Sequence, residues 1–506
     1  MAITPFIRPF FLHRAKVAHE NALKAEMTQR RELAWMMDRV RHTLIGEKYG
    51  FAGIDSYEEF RRRVPLAEYS DIRELVMRMV NGEKDILWKG VTRNFAQSSG
   101  TSDGKSKYVP ITSDSFRKNH YPGGADVVAF YLSAYPDSRI FDGKSFILGG
   151  SFANELSLPA GVSVGDLSAN LIQNINPLVN LVRVPSKKVA LMTDWKLKLP
   201  ALVKASMREN ITNISGVPSW FLTVLKEVVA QAGVDNIHEL WQNLEVFFHG
   251  GIAFEPYREQ YRHITDERRM RYVETYNASE GFFAVQDSPD DHGMLLLLDI
   301  GVFYEFIPVE EALSDSPHAV PVWEVEPGRT YALVVTACNG LWRFKIGDTV
   351  EVTSVDPVRI IISGRTKHYI NAFGEELMVH NADEAIADTC KELRCEIANY
   401  TAAPVYAGDR SRGRHEWLIE FAVEPEDMEK FADTLDSCLC RVNSDYQAKR
   451  ANGIFLDRLS VVKARKGLFD DWLASTGKLG GQRKVPRLSN DRHFIDSMLA
   501  MNNIDK

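Results

Sequence analysis

Ten residues from Ser98 to Lys107 read Ser-Ser-Gly-Thr-Ser-Asp-Gly-Lys-Ser-Lys. Glycines and small hydroxyl residues let backbone N–H groups approach a polyphosphate closely, and Lys105 and Lys107 can neutralise its charge. This is not a Walker A loop, because G-x4-G-K-[ST] has no match in it. A second group, Thr275-Tyr276-Asn277-Ala278-Ser279-Glu280-Gly281, offers a ring that can stack on a base and a carboxylate that suits a divalent cation. A third, Leu341-Trp342-Arg343-Phe344-Lys345-Ile346-Gly347-Asp348, reads as a strand with a turn at its end. Alternation predicts Arg343 and Lys345 on one face and Trp342 and Phe344 on the other. Asp348 at the tip can accept both hydroxyls of a ribose. Each group also has a plain structural reading: a solvated Ser/Gly loop, a core tyrosine beside an exposed glutamate, a β-turn aspartate.

The rest of the chain must position these groups. It has 506 residues, with 61 Lys plus Arg against 68 Asp plus Glu, for a formal charge of −7. That length predicts roughly three structural units. The slightly acidic balance argues against a nucleic-acid binder. No apolar run reaches the ~20 residues of a membrane span, and the N-terminus is broken by Arg8, His13, Arg14 and Lys16. The 5 cysteines show no zinc-ribbon spacing and read as reduced thiols, so a cytoplasmic setting is expected. The 13 histidines include no HExxH or H-x-H run, and His249 reads as a structural residue.

Residues 15–48 carry helical periodicity and lead into a larger body. Between 89 and 290, strands such as Phe146–Gly150 and Leu244–Phe248 alternate with helices such as 201–210 and 220–232, which predicts an α/β body. Met294 to Val309 reads as two strands around an Asp299-Ile300-Gly301 turn. Residues 294–362 then read as short strands separated by Asn339-Gly340, Gly347-Asp348 and Asp356-Pro357, a β-meander or small barrel. Past Gly364 come a helix at 381–393, strands at 396–400 and 416–423, a helix at 426–449 and a strand at 456–464.

The three chemical groups, in this order, resemble those of the GH3 acyl-acid amido synthetases, members of the adenylate-forming superfamily. The phosphate loop SSGTS-x-G-x-x-K is matched from Ser98 to Lys107. The second motif, Y-x-S-S-E, is matched at 276–280 with Ala278 in place of a serine. The third, Y-R-x-G-D, is present in a longer form with Trp342 replacing the tyrosine. Segments 60–69 and 301–308, Gly364-Arg365-Thr366-Lys367 with 370–375, and Gln482-Arg483-Lys484-Val485-Pro486-Arg487 also look like family segments, so the resemblance spans nearly the whole chain.

That resemblance implies a large N-terminal α/β domain, residues 1–362, that binds ATP and the acyl acid and includes a β-barrel-like subdomain at 294–362. It implies a hinge at 363–366 and a smaller, mobile C-terminal α+β domain at 367–506. Ser98, Ser99, Gly100 and Thr101 would hold the ATP phosphates. Gly250 and Gly251 would leave room beside the adenine, with Tyr276 as part of its wall and Thr275 and Arg365 as further nucleotide contacts. Glu280 would ligate Mg2+, Asp348 would hold the ribose, and Lys484 would act on the developing charge. The implied reaction adenylates a carboxylic acid and passes the acyl group to an amine such as an amino acid. An acyl-CoA ligase sharing the first step, or a non-catalytic nucleotide-binding homologue, stays open. The expected partners are small molecules, without nucleic acid or membrane, and a monomer is expected. Segments 121–135, 166–183 and 214–221 are candidates for the acyl pocket or for helical core.

Overall fold

The computed structural model of the protein describes residues 3–98, 107–152, 154, 156–251, 254–312, 314, 316–365, 369–370, 375, 377–405, 413–443, 446–447, 450, 456–476, 485–489 and 492–504. At its centre is a mixed sheet of 12 strands. One half is parallel: Arg271–Ala278, Val246–Gly250, Ile211–Gly216, Lys144–Ile147 and Arg183–Val184 follow one another. Parallel strands need crossovers. Here these include the helices Trp195–Ser206 and Pro218–Ala232. Pro218 opens the second at a position that needs no N–H, and Gly233 closes it in the left-handed region at φ 67°.

The other half of the sheet is antiparallel. It runs through Gly281–Val285, Met294–Leu296, Val358–Arg365, Leu341–Val355, Thr330–Ala337, Val302–Pro308 and Val320–Pro321. The expected strands on either side of residues 299–301 are present. The strands read between 331 and 362 do not form a barrel. They continue the one large sheet, whose two edges, Val320–Pro321 and Arg183–Val184, stay open. Alternation cannot distinguish these outcomes, because closure depends on long-range strand order. The fold is α/β, with a small α+β unit after residue 369.

The N-terminal helices cover the antiparallel half. Met36, Phe51, Phe60 and Trp88 share a core with Phe303, Trp342 and Phe344. Arg14, from the first helix, bridges Asp126 at 2.6 Å and Asp299 at 2.7 Å, fixing that helix to the turn between two strands. The C-terminal unit packs the helices Val379–Leu393 and Met428–Val442 on the strands Glu396–Val405, Arg414–Val423 and Ser460–Lys463. The second helix is shorter than the expected 426–449: Asp427 caps its start through its side chain, and Asn443 is already extended at φ −140°. All five cysteines are free thiols. No helix among the described residues is long and apolar enough to cross a membrane.

Candidate functional site

In an open α/β sheet, ligands bind beyond the carboxyl ends of the parallel strands. The Val246–Gly250 strand ends there in two glycines. A Cβ on Gly250 would stand 2.3 Å from the Thr275 carbonyl oxygen, so no larger residue fits. Gly251 sits at φ +79°, where glycine alone is unstrained. Gly250 pairs with Thr275 on the neighbouring strand, and the Thr275 hydroxyl donates to the His249 carbonyl at 3.1 Å. Thr275 and the two glycines therefore form one wall.

Tyr276 and Asp348 meet although three strands stand between theirs in the sheet. The Tyr276 hydroxyl donates to Asp348 Oδ2 at 2.7 Å, and both residues are buried. The sheet must therefore curl enough to bring its parallel and antiparallel halves together, and this contact joins two of the three chemical groups. Asp348 pairs with Arg365 on the next strand. Gly347 (φ 88°) does not end the strand, as its turn chemistry suggests. Leu341–Val355 runs straight through it. Glu280 sits at the turn after the Tyr276 strand, buried, and its carbonyl accepts the Asn339 side chain at 2.9 Å.

The phosphate loop is reached only at its ends. Ser98 closes the strand Asn94–Ser98 and pairs with Lys107 across a hairpin. The Lys107 ammonium lies 5.8 Å from the centre of the Phe344 ring, on the strand that carries Asp348. Ser99, Gly100, Thr101 and Lys105 lie outside the described residues, as does Lys484. For Ser98 and Arg365 only the backbone is described.

Arg343 departs from the alternation. It is buried with Trp342 and Phe344, at φ 43°, where the strand slips register against Thr330–Ala337. Its guanidinium grips Glu305 through Nε at 2.9 Å and Nη2 at 2.8 Å, and its Nη1 donates to the carbonyls of Arg61 and Val64. Tyr57 adds a hydrogen bond to Glu305 at 2.9 Å. Arg343 thus holds the strand of Asp348 in place and faces no ligand. A glutamate inside the otherwise apolar run Val302–Pro308 was the sequence signal for such a buried partner.

His249 is buried, but its Nδ1 has no hydrogen-bond partner among the described residues, so it is not the satisfied structural histidine that was expected. Its ring stacks on Phe254 at 4.5 Å, and burial lowers its pKa to about 3, so it is neutral at working pH. Glu274, its partner across the strand pair, was not singled out in the sequence. Burial, then Glu255, raises its pKa to about 7, against Arg258, which lowers it. A carboxyl raised in the folded state stabilises most below its unfolded pKa and loses that contribution as pH rises through the folded one. Glu274→Gln should therefore gain about 3 kcal/mol on the wild type between pH 4.5 and pH 8, read by denaturant unfolding at both. Parallel profiles would show that Glu274 titrates normally.

Two of the pocket segments meet, since the Tyr121 hydroxyl donates to the Leu171 carbonyl at 3.0 Å, while other members of the three segments are core or surface residues. Phe130 and Tyr131 belong to one core cluster and Ile214 and Phe221 to another, while Leu178 and Leu181 are each 72% exposed.

Residues 14–270 match the GH3 family N-terminal domain, 295–365 its central domain and 380–493 its C-terminal domain. The indole-3-acetic acid-amido synthetase GH3.3 of Arabidopsis thaliana is 22% identical over 572 residues, covering 96% of this chain and 94% of that protein. The jasmonoyl–L-amino acid synthetase GH3.5 of Oryza sativa subsp. japonica is 23% identical over 527 residues, covering 88% of this chain and 89% of that protein. Among solved structures, the GH3.15 acyl acid amido synthetase in complex with 2,4-DB superposes with a TM-score of 0.78 at 18% identity, over 97% of this chain and 95% of that one, which is a likeness of fold.

Proposed function

The chain belongs to the GH3 family, and from that premise we propose that it is an ATP-dependent acyl-acid amido synthetase. A carboxylate oxygen of the acid attacks the α-phosphorus of ATP, and pyrophosphate leaves. An amine, such as that of an amino acid, then attacks the acyl carbon of the acyl-adenylate; AMP leaves and the nitrogen gives up a proton. Both steps depend on alignment and charge neutralisation more than on covalent help from the protein. The observation that carries the reading is the Tyr276–Asp348 hydrogen bond beside Gly250, Gly251 and Thr275. In this reading the pair would offer an adenosine a ring and a carboxylate beside the side-chain-free edge of Gly250 and Gly251.

In this reading Ser98, Ser99, Gly100 and Thr101 receive the phosphates and Arg365 lies beside the ribose. The reaction belongs to the cytoplasm. Among the described residues no cluster of three or more His, Cys, Asp or Glu could cage a metal. A single glutamate completed by substrate phosphates is, however, how Mg2+ is commonly held. Glu280 suits that role, and the cation would neutralise phosphate charge during adenylation. Glu280→Gln should shift the Mg2+ titration of pyrophosphate release to higher concentration by about tenfold. Overlapping titrations would make Glu280 structural.

Asp348→Ala should weaken ATP binding roughly tenfold or more, since hydrogen bonds to a charged group contribute about 1.5–3 kcal/mol each. Calorimetry on the folded variant checks this, and unchanged affinity would remove Asp348 from the site. Acid-dependent pyrophosphate release, followed by acyl transfer across a panel of amines, tests the function. Transfer to coenzyme A in place of amines would favour a ligase of the thioester type.

A further inference from the structure

The segment that ends the Lys484 motif is stitched to the C-terminal unit. Arg487 and Ser489 exchange backbone hydrogen bonds with Ala402, at 2.8 and 3.1 Å, and the Thr401 hydroxyl donates to the Pro486 carbonyl at 2.6 Å. The Arg487 guanidinium pairs with Asp383 and lies 5.2 Å from the centre of the Tyr400 ring. Its charge also acts across to Tyr257, whose turn packs on the helix Val379–Leu393 that carries Asp383.

Tyr257 stands in the turn Glu255–Tyr257, six residues past Gly251, in the body that carries the nucleotide wall. The helix that follows, Arg258–Ile264, makes two more contacts across the same seam. Gln260 Nε2 donates to the Ile397 carbonyl at 2.8 Å, and His263 Nδ1 lies 3.0 Å from Glu396 Oε1. No hydrophobic cluster among the described residues draws on both sides of the seam: the clusters of the large body end at Ile360, and those of the C-terminal unit begin at Ile370. A seam joined by a few polar groups can open at small cost, because each rehydrates, whereas a shared apolar core could not. Arg487 keeps Asp383 when Tyr257 leaves, so opening strands no charge.

We propose that Tyr257, Gln260 and His263 form a latch, a set of positioning residues that hold the C-terminal unit in one of the two orientations that a two-step reaction at one site requires. The proposal rests on the two-step reading above. Loosening the latch moves the two half-reactions in opposite directions, because it shifts the balance between orientations without touching either reaction centre.

Tyr257→Phe removes only the hydroxyl and keeps the ring in its core. In the full-length variant, single-turnover pyrophosphate release and acyl transfer from a supplied acyl-adenylate should diverge, their ratio changing by about tenfold with one rate rising as the other falls. Rates that fall together, or do not move, overturn the latch. His263→Cys combined with Glu396→Cys and joined by a short bismaleimide should keep one half-reaction and lose the other; retention of both overturns it. Hydrogen exchange reads the seam without turnover. Tyr257→Phe should speed exchange at 255–264 and 396–400, and unchanged protection overturns the latch even if the wild type activates no acid, a result that would instead defeat the two-step reading.

Discussion

Replacing Lys484 with alanine is expected to slow acid-dependent pyrophosphate release by about 10²–10³-fold, the usual worth of a preorganised charge acting on a developing anion. ATP affinity should change by no more than about twofold, because on the proposed reading Lys484 would act only in the closed transition-state complex. The motif that carries Lys484 lies more than 130 residues beyond Asp348 in the chain. Three residues on, Arg487 is anchored in the C-terminal unit by Asp383. Amide formation from a supplied acyl-adenylate should be nearly spared. Quench-flow measurement of both half-reactions checks this, and equal loss in the two would remove Lys484 from the adenylation step.

Glu305→Ala should cost about 3–5 kcal/mol of stability, the usual effect of leaving one member of a buried ion pair without its partner. Side-chain exposure is 5% for Arg343 and 1% for Glu305, and the pair joins the helix Tyr57–Arg63 to the strand of Asp348. The two carbonyls that remain to Arg343 serve only its Nη1, so Nε and Nη2 lose their acceptor along with the countercharge. Denaturant unfolding reads the loss. Glu305→Leu combined with Arg343→Met should recover much of it, since an apolar pair of similar volume often replaces a buried ion pair at little cost. A loss under about 1 kcal/mol for the single variant would mean that water reaches the charge.

What the sequence made legible followed from local chemistry. Gly250 and Gly251 stand at the end of an apolar strand, and Tyr276 and Asp348 lie in motifs whose residue types announce a ring and a carboxylate. Their mutual contact was not legible, because it depends on the curl of a sheet whose intervening strands come from distant parts of the chain. The same limit explains the missing barrel: the alternation in 331–362 is real, but whether a sheet closes is decided by its edges. Arg343 was misplaced because a register slip breaks the period on which alternation rests. Glu274 was overlooked because its raised pKa arises from burial and from Glu255 on another element, neither visible in its own strand.

ATP–pyrophosphate exchange, measured with labelled pyrophosphate, purified full-length protein and a panel of carboxylic acids, tests the central claim most directly. The account predicts exchange that requires both the acid and Mg2+, proceeds without any amine, and gives way to net amide and AMP formation when an amino acid is added. Absence of exchange with every acid, in protein shown by calorimetry to bind ATP, would contradict it and leave a nucleotide-binding protein without the ligase reaction.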